Sequence, residues 1–271
     1  MNGRDISVCL IGAGNMGGAM LEGWLAGGFP AASITVIDPQ PNPAMAKSIA
    51  QHSIRHEASI PKNYTADVII IALKPQIMDA ALPPLKAIIG ADTVSVSVAA
   101  GKTLSGLEKG LGDTAIIRAM PNTPAQVQRG ITVCVGNGKV NDGHRKNVTG
   151  LLKSIGQVEW VDDEILIDAV TGLSGSGPAY VFHMVEAMSE AGQKAGLSKQ
   201  LADNLAKATV CGAGELMHQS PLTPANLRKN VTSPNGTTQA ALEVLMDDDG
   251  LTRLMTKAVA AATKRAGELA G

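Results

Sequence analysis

Gly12-Ala13-Gly14-Asn15-Met16-Gly17 sets glycines at the first, third and sixth places of a GxGxxG segment. That spacing suits an anion held against backbone: Gly12 permits a tight turn, Gly14 lets a pyrophosphate approach, and Gly17 allows a helix to pack closely on a strand. The apolar run from Ile6 to Ile11 precedes the segment and a helical stretch from Gly18 to Ala26 follows it, which is the setting the motif requires. Free N–H groups at the start of that helix would meet the anion, so a bound dinucleotide is expected. Asp38 follows Gly17 by 21 residues. There a carboxylate can accept hydrogen bonds from the adenosine ribose and repel a 2′-phosphate, or it can form an Asx turn ahead of Pro39.

Three further segments have chemistry too restricted for ordinary linkers: Leu73-Lys74-Pro75, Met120-Pro121-Asn122-Thr123-Pro124, and Val231 to Thr238 (VTSPNGTT). The first two follow strand-like runs, and α/β sheets bind ligands at the carboxyl ends of their strands. Lys74 reads either as a surface charge or as a cation beside the nucleotide crevice. Asn122, with its backbone restricted by Pro121 and Pro124, can offer donor and acceptor to an amide or carboxylate, or simply shape its turn. The segment Ser174 to Tyr180 (SGSGPAY) reads as a pocket floor, as a tight turn between helices capped by Ser176, or as both. His52 and His56 have metal-compatible spacing, but Ile54 and Arg55 between them look like the start of a strand, which argues against a site.

These residues need a scaffold. Strand-like runs at 6–11, 34–37, 68–73, 93–98 and 115–120 alternate with helical stretches, which predicts a parallel sheet wrapped by helices. Val68-Ile69-Ile70-Ile71-Ala72-Leu73 is apolar on both faces and belongs mid-sheet. Strands at 131–135 and 158–161 finish the sheet, so the domain boundary is expected near Asp162-Asp163. Beyond it the apolar spacing becomes helical, as in Val181, Met184, Val185, Met188 and Ala191. Helices are predicted over 178–195, 199–218, 224–231, 237–248 and 250–269.

The chain has 271 residues, 45% hydrophobic and 17% charged, and its formal charge of −1 lacks the basic excess of a nucleic-acid binder. The six aromatic residues are too scattered for base stacking. No apolar run reaches the roughly 18 residues of a membrane span. Cys9, Cys134 and Cys211 are far apart and set among apolar residues, so no disulfide framework or metal cluster is expected. Asp5 stands where a signal peptide would need apolar residues, and a reducing, cytoplasmic setting is the expectation.

GAGNMG at 12–17, LKP at 73–75, AAG at 99–101, RAMPNTP at 118–124, DAVTGLSGSGPAY at 168–180 and NVTSPNGTT at 230–238 together carry a family resemblance. Over nearly its whole length the chain resembles pyrroline-5-carboxylate reductases, enzymes of the last step of proline synthesis. The family pattern in the last motif is SPGGTT or SPGGAT, so Asn235 replaces a glycine; Asn tolerates left-handed backbone better than most residues, which favours an intact loop.

The resemblance implies an α/β protein: an N-terminal Rossmann dinucleotide-binding domain over 1–161, then an all-helical substrate-binding and dimerisation domain over 162–271. The latter would interlock with a second subunit, often within a ring of dimers. The implied cofactor is NADPH, with NADH as the alternative that Asp38 favours. Its implied contacts are the loop residues Gly12, Gly14, Asn15, Met16 and Gly17, then Asp38, then Ala72, Leu73, Lys74, Pro75, Ala99 and Asn122. The implied substrate is 1-pyrroline-5-carboxylate, reduced at its C=N bond to L-proline. Ser233, Asn235, Gly236, Thr237 and Thr238 would form the carboxylate cradle, with Ser176 and Gly177 as the pocket floor. Thr238 would be the catalytic residue at the imine nitrogen; the other reading of Thr237 and Thr238 is a helix cap. Two rival functions are a β-hydroxyacid dehydrogenase using Lys194 or Lys199, and a catalytically silent nucleotide-binding regulator. Neither lysine lies in that dehydrogenase motif, and a silent regulator would be expected to lose the SGSGPAY or SPNGTT chemistry.

Overall fold

The computed structural model describes residues 6–270; Asp5, which entered the expectation about export, and the ends of the two expected domains at 1 and 271 lie outside them. In chain order the elements are β1 Val8–Ile11, α1 Asn15–Ala26, β2 Ile34–Ile37, α2 Pro43–Gln51, β3 Arg55–Glu57, β4 Val68–Ile71, α3 Met78–Leu85, β5 Val94–Ser97, α4 Leu104–Leu111, β6 Ala115–Met120, β7 Gly130–Gly136, α5 Asp142–Leu152 and β8 Gly156–Trp160. Helices follow: α6 Leu166–Val170, α7 Gly177–Lys194, α8 Lys199–Gln219, α9 Pro224–Asn230, α10 Thr237–Leu245 and α11 Leu251–Ala270.

The eight strands form one sheet in the order β3-β2-β1-β4-β5-β6-β7-β8. β4 lies between β1 and β5, in the interior of the sheet as its two-sided apolar pattern requires. Val68 and Ile70 join Leu10, Val36 and Trp24 in the core on one face, while Ile69 and Ile71 join Ile11, Met78 and Leu82 on the other. Trp24 satisfies its buried indole N–H by donating to Leu151 O at 3.0 Å. Burial pushes the thiols of Cys9 and Cys134 up to about 12.

The expectation of a parallel sheet needs one correction: β7 runs antiparallel to β6. Only a single 3-10 turn, Thr123–Val127, separates them, and a parallel return needs a crossover of a dozen or more residues. β7 and β8, joined by α5, are parallel again.

The described chain packs as two compact units, 6–175 with 262–270, and 176–261. The sheet ends at Trp160 beside the expected boundary, and the segment 162–175 packs within the first unit. A second correction concerns Ser176. Instead of a tight capped turn, α6 continues through a π-helical turn, Thr171–Gly175, towards α7, and Ser176 makes no capping hydrogen bond. Pro178 in the first turn of α7 sacrifices no needed donor.

In the second unit α7 packs on α8: Ser189 Oγ donates to Asp203 Oδ1 at 2.5 Å, and Gly192 lies against Ala202. Among the described residues of this unit only Ser189, Ala202 and Ala206 are buried. Phe182, Leu216 and Val244 stay exposed.

Candidate active site

The glycine loop links β1 to α1 at the carboxyl end of the sheet. Gly12 has φ +89, and a Cβ there would meet Ala72 O and Leu73 Cδ2, each at 2.9 Å, so the end of β4 is the wall against which the loop turns. A Cβ at Gly17 would overlap the Gly12 carbonyl oxygen. At Gly14, the N-cap of α1, a Cβ meets nothing within 4 Å, and no side chain caps the helix. Open space over uncapped N–H groups, those of Asn15 and Met16 included, fits a pyrophosphate.

Asp38 combines both of its readings. Its Oδ1 accepts from Gln40 N–H at 2.8 Å, forming the Asx turn, and its Oδ2 accepts from Ala13 N–H at 2.7 Å, tying the end of β2 to the glycine loop. The carboxylate is thereby fixed at the end of β2, beside the glycine loop. No Lys or Arg occurs from Asp38 to Ala46, and Nε2 of His56 on β3 lies 2.8 Å from Asp38 O.

The other expected contacts end neighbouring strands. Strand order reverses between β1 and β4, the switch point where such sheets bind ligands. Ala72 N–H donates to Ile11 O at 2.9 Å. Lys74 is exposed, precedes the 3-10 turn Pro75–Ile77, and makes no ion pair among the described residues. Ala99 is buried just past β5. Asn122 shapes its turn: Oδ1 accepts from Ile131 N–H at 3.0 Å and Nδ2 donates to Ser174 O at 3.1 Å, clamping the π-helical turn to the sheet.

Arg118, missed in the sequence as a residue with its own task, extends that clamp. Only 4% exposed, it donates from Nη1 to Glu164 Oε1 at 2.8 Å, and its Nη2 lies 3.8 Å from Asp168 Oδ1. Glu164 Oε1 also accepts Leu104 N–H at 2.8 Å. An arginine in the middle of an apolar strand, with two carboxylates following the last strand, was the available signal.

In the second unit, Ser233 to Gly236 form a turn with Pro234 second and Asn235 third at φ +59, closed by Gly236 N–H on Ser233 O at 3.1 Å. Positive φ at the third position behind proline is type II chemistry, which Asn can supply. A Cβ at Gly236 would overlap Ser233 Oγ. Gly236 is the N-cap of α10 and no side chain caps this helix, so the cap reading of Thr237 and Thr238 is corrected. Their hydroxyls, and that of Ser233, make no hydrogen bond among the described residues, and the N–H groups of Thr237 and Thr238 head the helix as donors without intrahelical partners. Lys194 and Lys199, the rival acids, are instead ion-paired with Glu190 and Asp203 one turn away, each at 2.6 Å.

A family model for pyrroline-5-carboxylate reductase dimerisation matches residues 164–269, and one described as NADP oxidoreductase, coenzyme F420-dependent, matches 7–101. The pyrroline-5-carboxylate reductase of Pseudomonas aeruginosa is 39% identical over 266 residues, covering 97% of this chain and 96% of its own. The chain belongs to the pyrroline-5-carboxylate reductase family. The family's enzyme from Pisum sativum is 36% identical, with 96% and 94% covered. Among solved structures, a pyrroline-5-carboxylate reductase from Coxiella burnetii matches with a TM-score of 0.91 at 33% identity, covering 99% of this chain and 100% of that one. The Plasmodium falciparum reductase, solved with NADP bound, matches at 0.79 and 26% identity over 99% and 100%.

Proposed function

We infer that this member of the reductase family reduces the C=N bond of 1-pyrroline-5-carboxylate to give L-proline, using NADPH or NADH. The single observation that carries the reading is the start of α10, where the first N–H groups of the helix and the hydroxyls of Ser233, Thr237 and Thr238 have no partner among the described residues, in a chain that also holds an open glycine loop. We assign residues 1–161 to dinucleotide binding and 162–271 to substrate binding and dimerisation, in a cytoplasmic enzyme built as a homodimer or a ring of dimers.

The substrate is a cyclic imine bearing a carboxylate. The bound nicotinamide would supply hydride to the imine carbon. Gly12, Gly14, Asn15, Met16 and Gly17 would hold the pyrophosphate, Asp38 would meet the ribose, and Ala72 to Pro75, Ala99 and Asn122 would line the strand ends around the cofactor. Asn235 and Gly236 shape the turn that cradles the carboxylate, which Ser233, Thr237 and the Thr238 N–H receive; Ser176 and Gly177 floor the pocket, and these contacts fix the imine carbon for transfer. Thr238 Oγ donates a hydrogen bond to the imine nitrogen as it gains a proton, which favours the charge that develops in the transition state. A threonine hydroxyl is too weak an acid to be the final proton source, so water resupplies the proton.

The test is steady-state oxidation of each reduced cofactor with pyrroline-5-carboxylate, and cofactor reduction with 3-hydroxyisobutyrate. Turnover is expected only with the imino acid; robust turnover of the hydroxyacid alone would contradict the assignment.

A further inference from the structure

The turn before α10 does not present all of its N–H groups. Gly236 N–H is spent on Ser233 O at 3.1 Å. Asn235 N–H donates to Gln239 Oε1 at 2.8 Å, and Gln239 Nε2 donates in turn to Glu243 Oε1 at 3.1 Å. Gln239 reaches back over the first turn of α10 and occupies the one turn donor that would otherwise stand beside those of Thr237 and Thr238. The carboxylate of Glu243 accepts only, so it fixes which end of the Gln239 amide faces the turn. That acceptor also supports Asn235 at φ +59, a conformation that costs any residue other than glycine.

We propose that Gln239, oriented by Glu243, is a positioning residue for the substrate carboxylate: it sets the Ser233–Gly236 turn and withholds the Asn235 N–H. The carboxylate is then held at one place, by the Thr237 and Thr238 N–H groups and the neighbouring hydroxyls, and the imine nitrogen falls at Thr238. This rests on the cradle assigned under Proposed function.

Two substitutions in the full-length enzyme test it. Gln239→Leu keeps the bulk and removes the acceptor; the KM for pyrroline-5-carboxylate should rise about fivefold or more, the loss of roughly one hydrogen bond's worth of binding, with the cofactor KM unchanged. Gln239→Glu keeps an acceptor and suits the positive end of the helix, yet sets a negative charge beside the substrate's own. Its charge also meets Glu243 one turn on, a like-charge pair that offsets the gain at the helix end, so the thermal midpoint should change little while the imino-acid KM rises about tenfold or more. A residue that merely supports the helix gives the opposite pattern: the midpoint falls in the leucine variant and neither KM moves, which overturns the proposal. If Ser233→Ala raises KM while both Gln239 variants match the unaltered enzyme, the cradle stands and the role of Gln239 fails. If Ser233→Ala, Thr238→Ala and both Gln239 variants all leave KM and kcat unchanged, the cradle itself is wrong and the proposal falls with it.

Discussion

Thr238 and Ser233 stand five residues apart at the start of α10, yet the roles proposed for them assign their losses to different kinetic constants. Thr238→Ala should lower kcat by about tenfold to a thousandfold, the range for one hydrogen bond made in the transition state. Ser233→Ala should chiefly raise KM, because the carboxylate is bound almost equally in ground and transition states. Steady-state kinetics on the two variants separate them; a Thr238→Ala enzyme with full turnover and only a lower thermal midpoint would leave Thr238 a structural residue. Asp38 carries the cofactor question. With its carboxylate fixed by Ala13 and Gln40 and no Lys or Arg from there to Ala46, the proposed place of Asp38 at the ribose would set a 2′-phosphate against a negative charge that its own turn does not offset. Any preference for NADPH over NADH should therefore stay below about a hundredfold, roughly 2.7 kcal/mol. Cofactor Kd values from nicotinamide fluorescence check this, and a larger preference would show that the Asp38 carboxylate does not face the ribose. The glycine loop and the SPNGTT loop were legible because their residue types are nearly dictated by backbone conformation and anion chemistry. Gln239 was not: a glutamine in the first turn of a helix looks like any solvated residue until its partner two positions before the helix is seen.

At the level of elements, the strands around β1 and β4 could be read from two-sided apolar runs, and the ends of α7 and α8 from proline, glycine and serine signals. The reversal of β7 followed from a connection length that was visible but not weighed against the alternating pattern. The π-helical turn Thr171–Gly175 left no periodic signature, since four of its five residues are small or polar, the fifth, Leu173, is exposed, and its geometry is set from outside by Asn122 and by the Arg118 cluster. That cluster makes a prediction. Replacing Arg118 by methionine fills the space but strands Glu164 and Asp168 beside an apolar group, and breaking such a pair costs about 3–5 kcal/mol when buried, less here because both carboxylates are about a quarter exposed. Urea unfolding should show a loss of about 2 kcal/mol or more for Arg118→Met. A loss below about 0.5 kcal/mol would mean the ion pairs do not hold the 164–175 segment.

At the scale of the whole molecule, the helical unit lacks a core of its own, because Ala202 and Ala206 are the only apolar side chains buried among its described residues. Phe182, 64% exposed, and Leu254, 63% exposed, are among the apolar side chains open to a partner subunit, and each burial would contribute roughly 1.5–3 kcal/mol. Self-association is the natural outcome for a chain that carries a dimerisation domain. The thermal midpoint should therefore rise with protein concentration, and Phe182→Asp should shift sedimentation towards monomer and reduce activity. An unchanged sedimentation profile would exclude Phe182 from the interface. The central claim is a hydride delivered to the carbon of a cyclic imine, and isotope transfer reads it without inference. With pyrroline-5-carboxylate and reduced cofactor doubly deuterated at C4, mass spectrometry should find proline carrying one deuterium, on the ring carbon beside nitrogen that bears no carboxylate. Cofactor oxidised without labelled proline, or deuterium recovered at any other carbon, would contradict the account.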